Sequence, residues 1–565
     1  MPSRLRLGAS LLAACALVAG ARPLSAQTPP SQPQPVQAPV TTPSAKGLEP
    51  TGPPRQLSVD EAVRLALDSN LGIQVERFNP ELQDLNTAQV LSNYTPVFGA
   101  GVFTQSQAQP PSSFLSGSDT TIQSDQFGFT TNVSKLFTWG TEATVAFDSG
   151  RSTTNNSFSS FNPTLNGNLD VVVIQPLLRD FKFDLVKQQL FQSRTNRVIA
   201  DIDLRETVAL TTRTVKNAYW DFVYAINALK VAQQTLDLAQ ESLRNTRSRV
   251  EIGTLAPIDI VQAESEVASR EEAVILAEAS IGQAEDRLRS LIYDPKVEPG
   301  FFDIRLEPTD MAPFAIQEVD VTAAIQNALR DRTDLAVAKK RLEVTDYNLK
   351  YFKNQTLPGL DARFDYNSTG LGGTQLIRDP DSPLFPPPVI GEEVRGYGDV
   401  LGDIFGLNFP TWRLSLNVTY PIGTSNADAS LARTPIEMTQ SQTNLRLLEL
   451  NISTQVRDAG RQLVANSKRV EATRAARVLA ERRLEAEEKK FAAGMSTSFE
   501  VFQAQRDLAL SRSNELRAVL DYTQSQVDFE TVQIAPTGGG GTFNVGTALG
   551  GAVGAAVAGG AAGGQ

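Results

Sequence analysis

Two short stretches hold the residues best placed for chemistry. In the first, Asp259 and Gln262 follow Gly253; in the second, Glu500 and Gln503 follow Gly494. A carboxylate and an amide three residues apart share one face of a helix. Facing a pore, such residues favour cations and resist anions; the competing reading is an ordinary solvated helix face. Catalysis has few groups to use. The 565 residues include no His and one Cys, which removes the commonest general base, the commonest zinc ligands and any disulfide framework. No pair of carboxylates stands apart from the charged helix faces, so no enzyme, cofactor or metal site is expected. A net charge of −11 disfavours a nucleic-acid partner.

The element that positions these residues is a helical hairpin tip, and it occurs twice. Arg249 to Ala263 and Lys490 to Ala504 align through their glycines, since 494 − 253 = 241, and Gln503-Ala504 falls on Gln262-Ala263 at the same offset. Each glycine supplies the left-handed geometry that ends one long helix before the next begins. Leading into the first tip, Phe222, Ala225, Leu229, Ala232, Leu236, Ala239 and Leu243 step alternately three and four residues. That is a coiled-coil seam. The returning helix keeps a seven-residue spacing at Ile260, Val267, Val274, Ile281 and Leu288. In the second copy Leu463, Val470, Ala480, Leu484 and Phe491 repeat the first seam 241 residues later.

Upstream of each hairpin the pattern predicts a helix, then strands. Ser58 and Glu61 suit a capping box opening a helix that runs to about Tyr94. A second such helix starts near Val319 and stops at Pro358, which matches Pro96 at an offset of 262. Beyond it Leu360, Ala362, Phe364 and Tyr366 alternate with polar residues, as do Trp412, Leu414, Leu416, Val418 and Tyr420. Strands of this length with aromatic ends can cross an outer membrane. The stretch from Thr369 to Pro410 between them reads as a loop. In the first half Phe98 to Phe103 and Leu169 to Gln175 hold the matching places. Between them Phe127 to Phe147 reads as an additional hairpin turning near Trp139-Gly140, which either extends the sheet or lies outside the bilayer, giving four or six strands.

The domain reading is therefore a signal peptide (1–26), a Pro/Gln-rich linker (27–56), a first repeat (57–294), a link (295–318), a second repeat (319–536) and a flexible Gly/Ala-rich tail (537–565). Arg4 and Arg6, the apolar run from Leu7 and Leu24-Ser25-Ala26 mark an export signal cleaved before Gln27. The alternative is a lipobox, Leu12-Ala13-Ala14-Cys15, with Cys15 acylated. Four or six strands cannot close a barrel, because the smallest single-chain barrels need about eight. Several chains must share one.

The order of helix, strands and long hairpin, twice repeated, resembles the TolC-type outer-membrane efflux proteins, and the tips carry that resemblance most specifically. It implies a mainly α fold with β: duplicated antiparallel hairpins forming an α-barrel, and amphipathic strands contributing to a trimeric transmembrane β-barrel of twelve strands. It implies a homotrimer in outer-membrane lipid, a periplasmic tunnel, a periplasmic adaptor protein and an inner-membrane pump that supplies the energy, serving efflux or type I secretion. Gly253, Thr254, Leu255, Gly494, Met495 and Ser496 are then the expected adaptor contacts, and Asp259, Gln262, Glu500 and Gln503 the pore-constriction candidates. Some relatives latch the tip with a Tyr and an Arg; here Phe491 and Ser496 stand in those places. The rival reading of the whole chain is an exported coiled-coil scaffold without a channel.

Overall fold

Ser58 supplies half of the expected capping box, its Oγ accepting the backbone N–H of Glu61 at 3.2 Å, while the Glu61 carboxylate pairs with Arg55. The computed structural model describes residues 52–111, 121–310, 318–383 and 387–537. The export signal with Cys15, nearly all of the linker and the Gly/Ala-rich tail lie outside the described residues. Strand β1 (Pro54–Leu57) is followed by α1 (Val59–Ser69) and α2 (Leu71–Leu91). The single helix expected here is thus two. Asn70 breaks it with extended backbone, and its Oδ1 accepts the N–H groups of Gly72 and Ile73 to start α2.

Four strands come next: β2 (Val97–Gln109), β3 (Ile122–Leu136), β4 (Glu142–Thr154) and β5 (Phe161–Pro176). Then α3 (Leu185–Glu251) and α4 (Ile258–Ile292) make the first long hairpin, and β6 (Arg305–Pro308) pairs in parallel with β1. The second repeat begins with α5 (Val321–Asp331) and α6 (Thr333–Gln355). Their break at Arg332 lies 332 − 70 = 262 residues after Asn70, so the interruption itself is duplicated. Strand β7 (Gly359–Arg378), β8 (Val389–Arg395), α7 (Tyr397–Phe405) and β9 (Pro410–Thr419) lead into α8 (Asn426–Ala492) and α9 (Ser498–Thr531).

The region from Thr369 to Pro410 is therefore not simply a loop. β7 continues ten residues past the expected end, and β8 and α7 follow. The Gly-rich run Thr369-Gly370-Leu371-Gly372-Gly373 lacks the apolar alternation of a lipid-facing strand because one of its faces lies under a helix rather than lipid. A Cβ on Gly370 would stand 2.2 Å from the Val400 carbonyl of α7, and one on Gly372 2.7 Å from the Val400 side chain.

Helices α3 and α8 each have 67 residues, about 100 Å at 1.5 Å per residue. The seams read from the sequence are the packed ones: Phe222, Ala225, Ala239 and Leu288 are buried in the first hairpin, and Leu463, Val470 and Leu484 in the second. Ion pairs stitch α8 to α9, with Arg477 between Glu515 and Glu481, Arg469 on Asp521 and Arg483 on Asp507. Midway along, a buried network anchors the link between repeats. Arg289 donates to the Ile304 carbonyl and pairs with Glu285, which accepts the Leu306 N–H at 2.6 Å. Tyr219 donates to the Leu57 carbonyl, and burial pushes its phenol up to about 12.

Candidate functional site

Both tips end their first helix in the same way. Gly253 and Gly494 adopt φ of +77° and +74°. The Thr254 N–H reaches back to the Arg249 carbonyl and the Met495 N–H to the Lys490 carbonyl, each at 2.9 Å. Gly253 and Gly494 donate to Val250 and Phe491, completing a Schellman closure that satisfies the last carbonyls of α3 and α8. The turns then diverge. In the first, Asp259 Oδ2 accepts the Ala256 N–H; in the second, Thr497 caps α9 by accepting the Glu500 N–H. The alanine of each Gln-Ala pair is buried at 1% exposure.

The sequence candidates separate in this geometry. Gly253, Thr254, Gly494 and Met495 are exposed, and Leu255 and Ser496 half-buried. Ser496 donates to Glu487, whose carboxyl is held below its usual range first by Lys490 and then by Ser496. Of the constriction candidates, Glu500 and Gln262 are exposed, and Gln503 donates to Asp507. Asp259 is engaged otherwise: its Oδ1 accepts the Ser498 hydroxyl at 2.8 Å, joining the two tips. A second tie joins them at Phe491, the position of the relatives' latch. The Arg249 guanidinium lies 4.3 Å from the Phe491 ring centroid. The sequence did not single out Arg249 or Ser498, since their partners lie 491 − 249 = 242 and 498 − 259 = 239 residues away. Nor did it single out Ile258 and Phe499, which hold equivalent places (499 − 258 = 241) and expose large apolar side chains beside the turns. An apolar residue next to a capping turn, repeated at the tip offset, is the signal that marks them.

At the other end of the molecule the strands form one antiparallel sheet in the order β2-β3-β4-β5-β7-β9, with β8 pairing the far half of β7. Directly paired residues share a face. One row crosses all six strands as Phe98, Val133, Val145, Val171, Tyr366 and Trp412. The adjacent row on the opposite face reads Gly99, Asn132, Ala146, Asp170, Asn367 and Thr411. The pattern continues below, with Leu414, Leu416 and Val418 exposed on the apolar side. On the polar side Asn367 donates to Asp170 and Arg363 pairs with Asp365. A soluble sheet would cover such a face. Here most of it is open, and among the described residues only α7 sits upon it, with Val400 and Ile404 buried over Gly167, Gly370 and Gly372. Among the described residues no helix is long and apolar enough to cross a membrane.

A further face is left open on α2, where Leu71, Val75, Phe78, Leu82 and Leu85 are exposed at steps of four and three. This is a coiled-coil seam without a partner among the described residues of its own chain.

A family model described as outer membrane efflux protein matches residues 143–292 and 324–532. Solved structures of similar fold include a membrane protein from Pseudomonas aeruginosa, at 15% identity and TM-score 0.59, covering 85% of this chain and 92% of that one. The CmeC outer membrane channel of Campylobacter jejuni gives 13% and 0.58, with coverages of 84% and 85%. The outer membrane protein VceC of Vibrio cholerae gives 11% and 0.57, with 85% and 97%. At these identities the likeness is one of fold. No curated protein sequence matches the chain.

Proposed function

The chain belongs to the outer membrane efflux protein family, and from this premise we propose that three copies close a conduit whose tips dock on a periplasmic adaptor. The protein is the outer-membrane channel of an efflux system, with its sheet in the outer membrane and its long helices in the periplasm. The proposal adds the assembly. An inner-membrane pump, reached through the adaptor, provides the energy for efflux or type I secretion, and this chain provides a passive path.

The observation that carries the reading is the six-strand apolar row from Phe98 to Trp412, backed by a polar row on the other face. Six strands are too few to close alone, and an unpaired edge in lipid strands its backbone N–H and C=O groups. Copies of the same chain supply the missing neighbours, and the open seam on α2 supports the same side-by-side packing lower down. The coiled-coil scaffold reading leaves the apolar face unexplained.

At the tip, Gly253, Thr254, Leu255, Gly494, Met495 and Ser496 make the adaptor surface, together with Ile258 and Phe499. Glu500, free of the tie that occupies Asp259, forms the carboxylate ring. The test is conductance of purified protein in planar bilayers. A cation-selective pore that loses much of its cation preference in Glu500→Gln is expected; a monomer without conductance refutes the conduit, and unchanged selectivity in the variant refutes the ring.

A further inference from the structure

We infer that the assembled barrel has eighteen strands, six from each of three chains, because the β3–β4 hairpin crosses the membrane at full height. The inference rests on the trimeric reading above and changes the barrel expected from it. Among the described residues, four junctions join the lower ends of the sheet's strands to the helices beneath: α2 to β2, β5 to α3, α6 to β7 and β9 to α8. Four strands would satisfy those junctions. The hairpin is inserted between β2 and β5 and has no helical continuation of its own.

Two features place it inside the bilayer. The first is its share of the apolar row, which Val133 and Val145 fill between Phe98 and Val171. The second is the level of its turn. Tracing each strand's lower end onto β7 through the pairings, Val97 of β2 falls level with Asp365, the Leu136–Glu142 end of the hairpin with Arg363, Pro176 of β5 with Asp361, and Thr419 of β9 with Gly359. The ends descend in order by 365 − 359 = 6 residues across five strand intervals. At about 3.3 Å per residue and 4.8 Å per strand that slope is ~40°. It is the tilt of strands in membrane barrels, roughly 35–45°. Tilted so, all the lower ends lie at one periplasmic rim, and the hairpin turn lies there with them. At that rim Gly140 is held against the Asp180 carbonyl, 3.2 Å from where its Cβ would stand, and Thr141 bonds to Gln175. With 15 and 13 residues, β3 and β4 each exceed the roughly 9–11 needed to cross.

Barrel diameter grows about linearly with strand number. Eighteen strands give a bore about 1.5 times that of twelve, in the range where barrels hold an open aqueous channel. The number of long helices per chain is unchanged, so the strand end is wider than the tunnel beneath it and does not sieve the cargo. Selection is left to the helical tips.

The test is lipid quenching in the reconstituted trimer. The described residues contain no cysteine, so introduced ones carry a fluorophore singly. Phe129→Cys on β3, Val145→Cys on β4 and Leu416→Cys on β9 are compared in phosphatidylcholine vesicles with a mid-chain lipid quencher. Equal loss of fluorescence at all three is expected, with Thr130→Cys and Thr144→Cys quenched by aqueous iodide instead. Quenching at Leu416 alone overturns the eighteen-strand barrel while leaving the conduit intact. Absence of quenching at all three overturns both. Images of the wild-type trimer down its threefold axis give an independent count that needs no variant to fold; twelve strands there refute the inference.

Discussion

Replacing Gly370 by Ala is expected to lift α7 from the barrel wall. The new Cβ would stand 2.2 Å from the Val400 carbonyl and 3.0 Å from its Cγ1, where ordinary contact begins near 3.4 Å. The near neighbour is backbone, so no side-chain rotation relieves it, and α7 must move by about 1 Å or more, forfeiting a quarter to a half of its dispersion contacts. Val400 and Ile404 are wholly buried there, and Ser368 donates to the Ile404 carbonyl at 2.9 Å. Overpacking of this kind costs about 1–3 kcal/mol. A central value near 2 kcal/mol corresponds to a roughly 30-fold larger undocked population.

Limited chymotrypsin digestion of intact cells reads that population, since Tyr397 and Phe405 lie on α7. Gly370 is 370 − 359 = 11 residues above the rim residue Gly359, ~28 Å up a strand tilted by about 40°. This puts α7 at the outer edge of an apolar band about 25 Å tall. Gly402→Ala serves as the control. Nothing lies within 4 Å of its would-be Cβ, and Ala inside a helix gains about 1 kcal/mol over Gly. Faster cleavage in Gly370→Ala and slower cleavage in Gly402→Ala are expected. Equal cleavage of Gly370→Ala and wild type refutes the cradle.

Other substitutions read different parts of the structure. Gly253→Ala and Gly494→Ala meet no atom within 4 Å, so each loses only the left-handed backbone preference, about 1–2 kcal/mol; equal, modest drops in melting temperature are expected, and a large drop in either refutes the open-tip geometry. Arg332 is buried among Asp334, Gln455 and the Val532 carbonyl, so Arg332→Ala should lose roughly 3–5 kcal/mol, checked by thermal denaturation. Burial pushes the Glu206 carboxyl up, opposed by the Thr333 hydroxyl that donates to it. A raised carboxyl stabilises the fold below its unfolded pKa, and that contribution is lost as pH rises through the folded value. Glu206→Gln should therefore melt higher than wild type at neutral pH and lose that advantage below the ordinary carboxylate range; a difference independent of pH contradicts this.

The helical half of the molecule was legible because its physics is local. Heptad steps and a glycine closure specify a hairpin wherever they occur, so the 241-residue offset predicts α8 and α9 from α3 and α4. The breaks at Asn70 and Arg332 were not legible. Asn70 breaks its helix by a side-chain cap that competes with a helical run on either side. At Arg332 the guanidinium is drawn to partners 123 and 200 residues away. In the sheet, strands facing lipid announced themselves by alternation, and the same rule hid the upper half of β7, where α7 replaces lipid and demands glycine. The tips were legible as turns but not as partners: Arg249 on Phe491 and Ser498 on Asp259 follow from where two distant turns come to rest.

The two repeats diverge where geometry permits it. A residue inserted into α3 would move its tip by about 1.5 Å and turn it by roughly 100°, carrying Arg249 off Phe491 and Asp259 off Ser498. Equal lengths of 67 residues are what those contacts require. The sheet has no such demand. A single added strand would leave the chain at the wrong rim, but a hairpin returns it to the level it left, keeps the antiparallel alternation and adds to the apolar row. Strands can therefore be gained in pairs without disturbing any helix junction, and the β3–β4 hairpin in the first repeat, with no full-length counterpart among the described residues before α8, is what that freedom allows.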